Sequence, residues 1–300
     1  MHPLKPRVHE WMLLAFFAYN VLLSPFFPNR FLFIRTLWIL LITSGGLYVI
    51  LRLEQGVLAR GMRIIRDWLP ILLVVVAFRE MNYFAPTTAS GYDLLREVSW
   101  VRLDWILLDG LKLRELIESL GPVIPLYLEF CYLLVYGVAL YCVAALGDKA
   151  GRRAVNRFWT IYLVGTLGAY AFFPFFPTQP PRLAFPDISA PTVVTWLREL
   201  NEFVLGETTI HTSVFPSAHV SSVFASAFAM LLLMPKGRRD GWVLLFYAAS
   251  VAIATVYGRY HYAVDVLAGF AVSLAAGALC VVYLAQDARQ ARPEAVATVG

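Results

Sequence analysis

The chain has 300 residues, 59% of them hydrophobic and only 15% charged, with a formal net charge of +5. A soluble domain carries about 25% charged residues, and here the apolar residues run in long blocks without dyad alternation, which excludes both an ordinary soluble domain and a β-barrel. The cations are scattered over connecting segments rather than gathered on one face, so the charge is not a nucleic-acid signal and no nucleic-acid partner is expected.

Backbone N–H and C=O groups in hydrocarbon must bond within their own segment, so long apolar blocks are helices. The sequence predicts an all-α, polytopic membrane helix bundle of about eight transmembrane helices, near 11–27, 31–51, 68–84, 122–146, 155–176, 217–234, 242–258 and 262–285. Each approaches the length of about 17–25 residues that a bilayer requires.

The first block is the weakest, because Asn20, Ser24 and Pro25 interrupt it. Lys5 and Arg7 precede it as they would a signal peptide, but no small-residue cleavage site follows, and an uncleaved anchor is expected. Residues 1–67 read as an N-terminal addition of two spans, 68–285 as a six-helix unit, and 286–300 as a polar, frayed cytoplasmic tail.

Between the third and fourth spans, the segment 85–121 carries Leu94, Val98, Val101, Trp105 and Leu108 among charged residues. That spacing suits an amphipathic helix on the membrane surface, either a cover packed on the bundle or a wall for lipid entry. Between the fifth and sixth spans, Pro177, Pro180 and Pro181 stop the helix and present Arg182 from a stiff turn. A short amphipathic run, 193–203, follows and carries Arg198. Cys131, Cys142 and Cys280 all fall within spans and read as small buried hydrophobes.

With eight crossings, one side receives Lys5 and Arg7, then Arg52, Arg60, Arg63 and Arg66, then Lys149, Arg152, Arg153 and Arg157, then Lys236, Arg238 and Arg239, then Arg289 and Arg292. The positive-inside rule makes this the cytoplasmic side, with both termini on it. The loop 177–216 and the turn 258–261 then share the opposite, non-cytoplasmic face.

Those two places hold the residues with chemistry. His261 opens the last span and Asp265 follows it by four residues, so a helix puts both on one face. A carboxylate accepting from Nδ1–H orients the ring and leaves Nε2 as a nucleophile; otherwise the pair is a capped interfacial histidine. Ser217, after Pro216, is placed as a helix cap whose neighbouring amides suit phosphate, and His219 could act as general acid. Arg182 and Arg259 could hold the equatorial charge of a phosphoryl transition state, although Arg259 could equally snorkel to the interface. Glu129, Arg79 and Glu80 read as an ion pair inside the bundle.

Phe215-Pro216-Ser217-Ala218-His219 and His261-Tyr262-Ala263-Val264-Asp265-Val266 resemble the second and third motifs of the type 2 phosphatidic acid phosphatase superfamily. The His-Tyr-x-x-Asp-Val form is similar to the branch of inositol phosphorylceramide synthase and the sphingomyelin synthases. Pro180-Pro181-Arg182 resembles the diproline loop of bacterial members. The likeness covers roughly 68–285. It implies that His261 attacks phosphorus, Asp265 orients it, His219 protonates the leaving group, and Ser217 and nearby amides bind phosphate, with no metal and no other cofactor.

The chain departs from the family's soluble-acid-phosphatase form. Arg182 has no lysine seven residues before it and is followed by Leu183, and Ala254-Thr255 stands where a Ser-Arg pair would precede the nucleophile. Arg182 and Arg259 are the candidates to replace the missing cations. The resulting expectation is a lipid phosphatase or phosphotransferase of the plasma membrane, acting on a lipid phosphate and passing the phosphoryl group to water or to a lipid or polyol acceptor. The competing readings are a metal-dependent hydrolase using the same His219, His261 and Asp265 as ligands, and a transporter in which they form a proton relay.

Overall fold

The computed structural model describes residues 5–86, 93–208, 210, 215–234 and 238–297, and for 207, 208, 280, 283, 284 and 286–297 the backbone alone. Lys236, the side chains of Cys280, Arg289 and Arg292, and residues 298–300 of the expected tail therefore lie outside the described residues, as do 87–92 and 211–214 of the two external segments.

Among the described residues every regular element is helical: α1 (Val8–Leu23), α2 (Leu32–Leu53), α3 (Ala59–Met81), α4 (Leu94–Trp105), α5 (Leu113–Glu118), α6 (Val123–Leu134), α7 (Val138–Lys149), α8 (Arg152–Phe172), α9 (Pro181–Ala184), α10 (Trp196–Thr208), α11 (Ala218–Leu233), α12 (Arg239–Tyr257) and α13 (Ala263–Ala297). Among the described residues, four stretches are long and apolar enough to cross a membrane: Leu32–Leu53, Val123–Lys149 (α6 and α7 joined by a 3-10 turn), Arg152–Phe175 and Arg239–Tyr257. Ala218–Leu233 and Ala263–Leu279 are apolar but shorter. The molecule is a polytopic helical membrane bundle.

The first block ends where its sequence weakens it: α1 stops at Leu23 and Ser24–Phe26 forms a 3-10 turn around Pro25. Asn20 is buried there and donates to Glu80 at 2.6 Å. The last helix continues to Ala297 instead of fraying at 285, through a stretch rich in Ala, Gln and Arg, which favour helix.

α11 lies at the centre, packed against α8, α12 and α13. Small residues permit this approach. Gly165 of α8 faces Ala225 and Ser221 of α11, and Ser221 donates its hydroxyl proton to the Gly165 carbonyl at 2.9 Å. α1 and α3 close the other flank of α8 through Phe16, Phe17, Val74, Leu163 and Leu167.

The bundle has two chemically different ends. At one, Asp67 in the first half of α3 takes Arg7 and Arg152, each at 2.7 Å, Arg66 is shared by Glu10 and Glu54, and Lys149 meets Asp240 at 2.8 Å. These belong to the cation-rich segments. The same helices deliver their other termini to the opposite end, where α4, α5, α9 and α10 form an external cap.

Only part of the expected apolar face of 85–121 packs onto the bundle. Val101 and Leu108 are buried, but Leu94, Val98 and Trp105 are exposed, and Glu97 and Asp104 are buried in their place. The inward stripe is Glu97, Val101, Asp104 and Leu108, also at helical spacing. Two acids turn inward because partners await them beneath the helix.

A side chain at Gly165 would place Cβ 2.8 Å from the Ala225 Cβ, with no room to yield. Gly165→Val is expected to cost about 1–3 kcal/mol, seen as a lowered unfolding midpoint in detergent, while Gly45→Ala, which faces open space, stays within about 0.5 kcal/mol of wild type.

Candidate active site

The turn between α12 and α13, Gly258–Tyr262, carries the nucleophile candidate. Arg259 adopts a left-handed conformation with φ of 60°, and the amides of Tyr260 and His261 both return to the Thr255 carbonyl, at 3.0 and 3.1 Å. Tyr260 folds back so closely that a Cβ on Gly258 would overlap its ring.

Asp104 of α4 fixes this turn. Its Oδ2 accepts from Arg259 Nη1 at 2.6 Å and its Oδ1 from the Ala263 amide at 2.8 Å. Both partners of the ion pair are buried. The left-handed backbone at a non-glycine residue costs about 1–2 kcal/mol, which this pair and the bond from the Arg182 amide to the Arg259 carbonyl (3.0 Å) offset. Arg259 is therefore not at the interface, and it is not among the residues lining the cavity described below; its Nη1 is taken by Asp104, while Nε and Nη2 have no hydrogen-bond partner among the described residues.

Held this way, His261 meets two predicted partners. Its Nδ1 lies 3.4 Å from Asp265 Oδ2, longer than a formed hydrogen bond, and its Nε2 lies 3.3 Å from Nδ1 of His219. Asp265 also accepts from the Tyr262 amide at 2.8 Å, which fixes the carboxylate. The rings of His219 and His261 meet edge to face. With the proton on His261 Nδ1 toward Asp265, Nε2 accepts from His219.

His219 is placed by the start of α11. Ser217 caps it, its hydroxyl oxygen accepting from the Val220 amide at 3.3 Å, and the Ser217 amide donates to the Asp265 carbonyl at 2.9 Å. Gly269 makes this approach possible, since a Cβ there would overlap the Ser217 carbonyl oxygen. Ser217 is thus fully buried as a joint between α11 and α13. The groups that reach the cavity at this helix start are Ala218 and His219.

The histidine pair stands at the head of a cavity of about 370 Å³. Arg182 and Tyr260 stand at that end, and Arg79 of α3 also lines the cavity. Arg182 lies over the Tyr260 ring, 5.5 Å from its centroid. Tyr260 in turn stacks on Tyr132 at 3.9 Å, and Tyr132 lies against His219. Below the histidines the walls are apolar, formed by α3, α7 and α8.

Sequence reasoning missed the residues that hold this arrangement from behind. Glu129 was expected to pair within the bundle near Arg79 and Glu80. Its partners instead come from the cap and the turn: Arg198 at 3.2 Å, Asn201 at 2.7 Å and the Tyr260 hydroxyl at 2.6 Å. Burial, and then Glu129, push the Tyr260 phenol above its ordinary value, so it remains a donor. Glu97 accepts from the Gln179 amide at 2.7 Å and so anchors the diproline loop; burial raises its carboxyl above the usual range against that bond. The readable signal for Glu97 and Asp104 was their shared spacing with Val101 and Leu108. Among the described residues, no group of three His, Cys, Asp or Glu side chains is placed to hold a metal ion. Asp265 lies behind His261 rather than beside both rings.

The family model described as the PAP2 superfamily matches residues 108–279, more than half of the chain. Over 69 residues the chain is 38% identical to a PA-phosphatase related-family protein of Dictyostelium discoideum; that stretch is 23% of this chain and spans only 11% of the length of the relative. No solved structure matches.

Asp104→Ala leaves Arg259 buried without its carboxylate, and a loss of about 3–5 kcal/mol is expected in detergent unfolding. Adding Arg259→Gly, which removes the charge and suits the left-handed backbone, should recover most of it.

Proposed function

The chain belongs to the PAP2 superfamily, whose membership supports a lipid phosphatase-type activity, and from that premise we propose that it cleaves a lipid phosphoester through a phosphohistidine at His261. The observation that carries this reading is the linear order Asp265, His261, His219, with contacts of 3.4 and 3.3 Å, at the head of a cavity that also receives Arg182.

An in-line displacement needs its nucleophile and its general acid on opposite sides of phosphorus. His219 lies where His261 Nε2 points, so a phosphoryl group entering between the rings meets both. His261 Nε2 attacks phosphorus, the P–O bond to the lipid alcohol breaks, and the departing oxygen takes the proton of His219. In the second half an acceptor oxygen bonds phosphorus, its proton passes to His219, the N–P bond breaks and Nε2 recovers its lone pair. Asp265 stabilises the cationic ring in between.

Arg182 and the first-turn amides of α11 carry the equatorial oxygens. Ser217 contributes by capping that turn, and Arg259 by shaping the loop that presents His261. The acceptor is water, or a lipid or polyol hydroxyl as the likeness to the inositol phosphorylceramide synthase branch favours. Positive charge concentrated at the opposite end supports a site on the non-cytoplasmic face of the plasma membrane, with both termini cytoplasmic.

Incubation with phosphatidic acid labelled in its phosphate is expected to leave an acid-labile, base-stable label on the protein. His261→Ala abolishes the label, and His219→Ala slows its formation by about 10²–10⁴-fold. Label that persists in His261→Ala overturns the assignment. Turnover that survives EDTA separates this mechanism from metal-dependent hydrolysis by the same residues.

A further inference from the structure

His261 has a carboxylate beside it and His219 has none. Among the described residues His219 forms no ion pair, and its ring meets His261 and the rings of Tyr132 and Tyr136. Yet a histidine that protonates a departing alkoxide and ends neutral must begin as the imidazolium. We infer that Tyr132 and Tyr136 are positioning residues for His219: together they hold its imidazole against His261 and favour its proton-bearing cation. This rests on the phosphohistidine reading above and names what keeps its general acid charged.

Two features of the site weigh against that cation. His219 is the second residue of α11, where the helix dipole presents its positive end. Arg182 stands at the same end of the cavity. The other titratable groups lining this space are His261, Arg79 and the phenols of Tyr162, Tyr170 and Tyr260. Asp265 and Glu129 stand behind His261 and Tyr260, and no carboxylate of the described residues lines the cavity.

The rings offset this. Tyr132 lies 5.2 Å from His219, centroid to centroid, at an interplanar angle of 32°, and Tyr136 lies 5.7 Å away at 85°. Both fall within the reach of about 6 Å over which an aromatic ring attracts a cation. With His261 at 5.5 Å, three rings bound the imidazole and restrict its rotation.

Tyr132 is itself held in place. It is buried, it stacks on Tyr260 at 3.9 Å and 16°, and Tyr260 donates its hydroxyl proton to Glu129 at 2.6 Å. Tyr136 follows four residues later, in the 3-10 turn that joins α6 to α7, and so faces the same way. Glu129 therefore reaches both histidines through Tyr260: His261 by the turn, and His219 by the stacked ring of Tyr132.

The test uses the full chain in lipid nanodiscs, with two readouts. One is the pH profile of phosphohistidine formation in a single turnover of labelled phosphatidic acid, whose high-pH limb reports loss of the proton from the general acid. The other is NMR of histidine-labelled protein, with the His219 signal assigned by its loss in His219→Gln, which follows ionisation without any reaction. Tyr132→Leu is expected to lower both the limb and the His219 midpoint by about 0.5–1 pH unit, and to slow label formation about tenfold at neutral pH. Tyr132→Phe keeps a ring there and is expected to restore both. Tyr136→Leu, at a half-exposed position that tolerates truncation, is expected to shift both the same way by less. A limb and midpoint within about 0.2 unit of wild type in Tyr132→Leu overturn the inference, as does a Tyr132→Phe shift as large as that of Tyr132→Leu. If Tyr132→Leu does not fold, Tyr136→Leu decides, and a midpoint equal to wild type there overturns it. If wild type forms no label on His261 but the His219 midpoint falls in the Leu variants and not in Tyr132→Phe, the ring clamp stands and the phosphohistidine reading falls. If the label forms on His261 while the midpoint stays in place in every variant, the phosphohistidine reading stands and the clamp falls.

Discussion

The buried ion pair between Asp104 and Arg259 is the constraint on which the rest of the site depends. It joins a helix of the external cap to a turn in which a non-glycine residue is left-handed, and the same carboxylate receives the first amide of α13. Breaking a buried pair is costlier than never having made it, because one charge is left without compensation in low dielectric. The cap and the turn therefore stand or fall together. His261 is two residues from Arg259, so the direction in which its ring points is inherited from an acid more than 150 positions earlier.

A second buried carboxylate works in the same way from the other side. Glu129 collects Arg198 and Asn201 from α10 and the phenol of Tyr260 from the turn. Tyr260 then presents one face to Tyr132 and lies beneath the Arg182 guanidinium. Asp104 and Glu129 are thus both used to fix a ring or a backbone turn that in turn places a reacting group. Positioning of this kind matters because misplacement of a nucleophile by about 1 Å can cost about 10²-fold in rate.

Four arginines, Arg79, Arg182, Arg198 and Arg259, differ in what each can reach. Arg259 and Arg198 are drawn into buried carboxylates and shape the loops. Arg182 and Arg79 border the cavity. A charge count over the sequence treats these four alike, but burial and partners separate architecture from recognition. The opposite end of the bundle is also rich in ion pairs, through Arg7, Asp67, Arg152, Lys149 and Asp240. They join helices and mark a side.

The sequence by itself determined the helical membrane class, the ends on which charge accumulates, and the two histidine motifs. These are local properties: hydrocarbon demands helices, and a four-residue spacing keeps His261 close to Asp265 in the chain. It could not determine which acids turn inward on α4, because the exposed apolar face of Leu94, Val98 and Trp105 is as regular as the inward one. Nor could it show that Glu129 would meet Arg198 rather than a residue of its own bundle, that Ser217 would be buried as a joint, or that α3 would wall the cavity. Those outcomes depend on which helix ends arrive together, and the partners are separated by tens to more than a hundred residues, so only the packed tertiary structure could decide them.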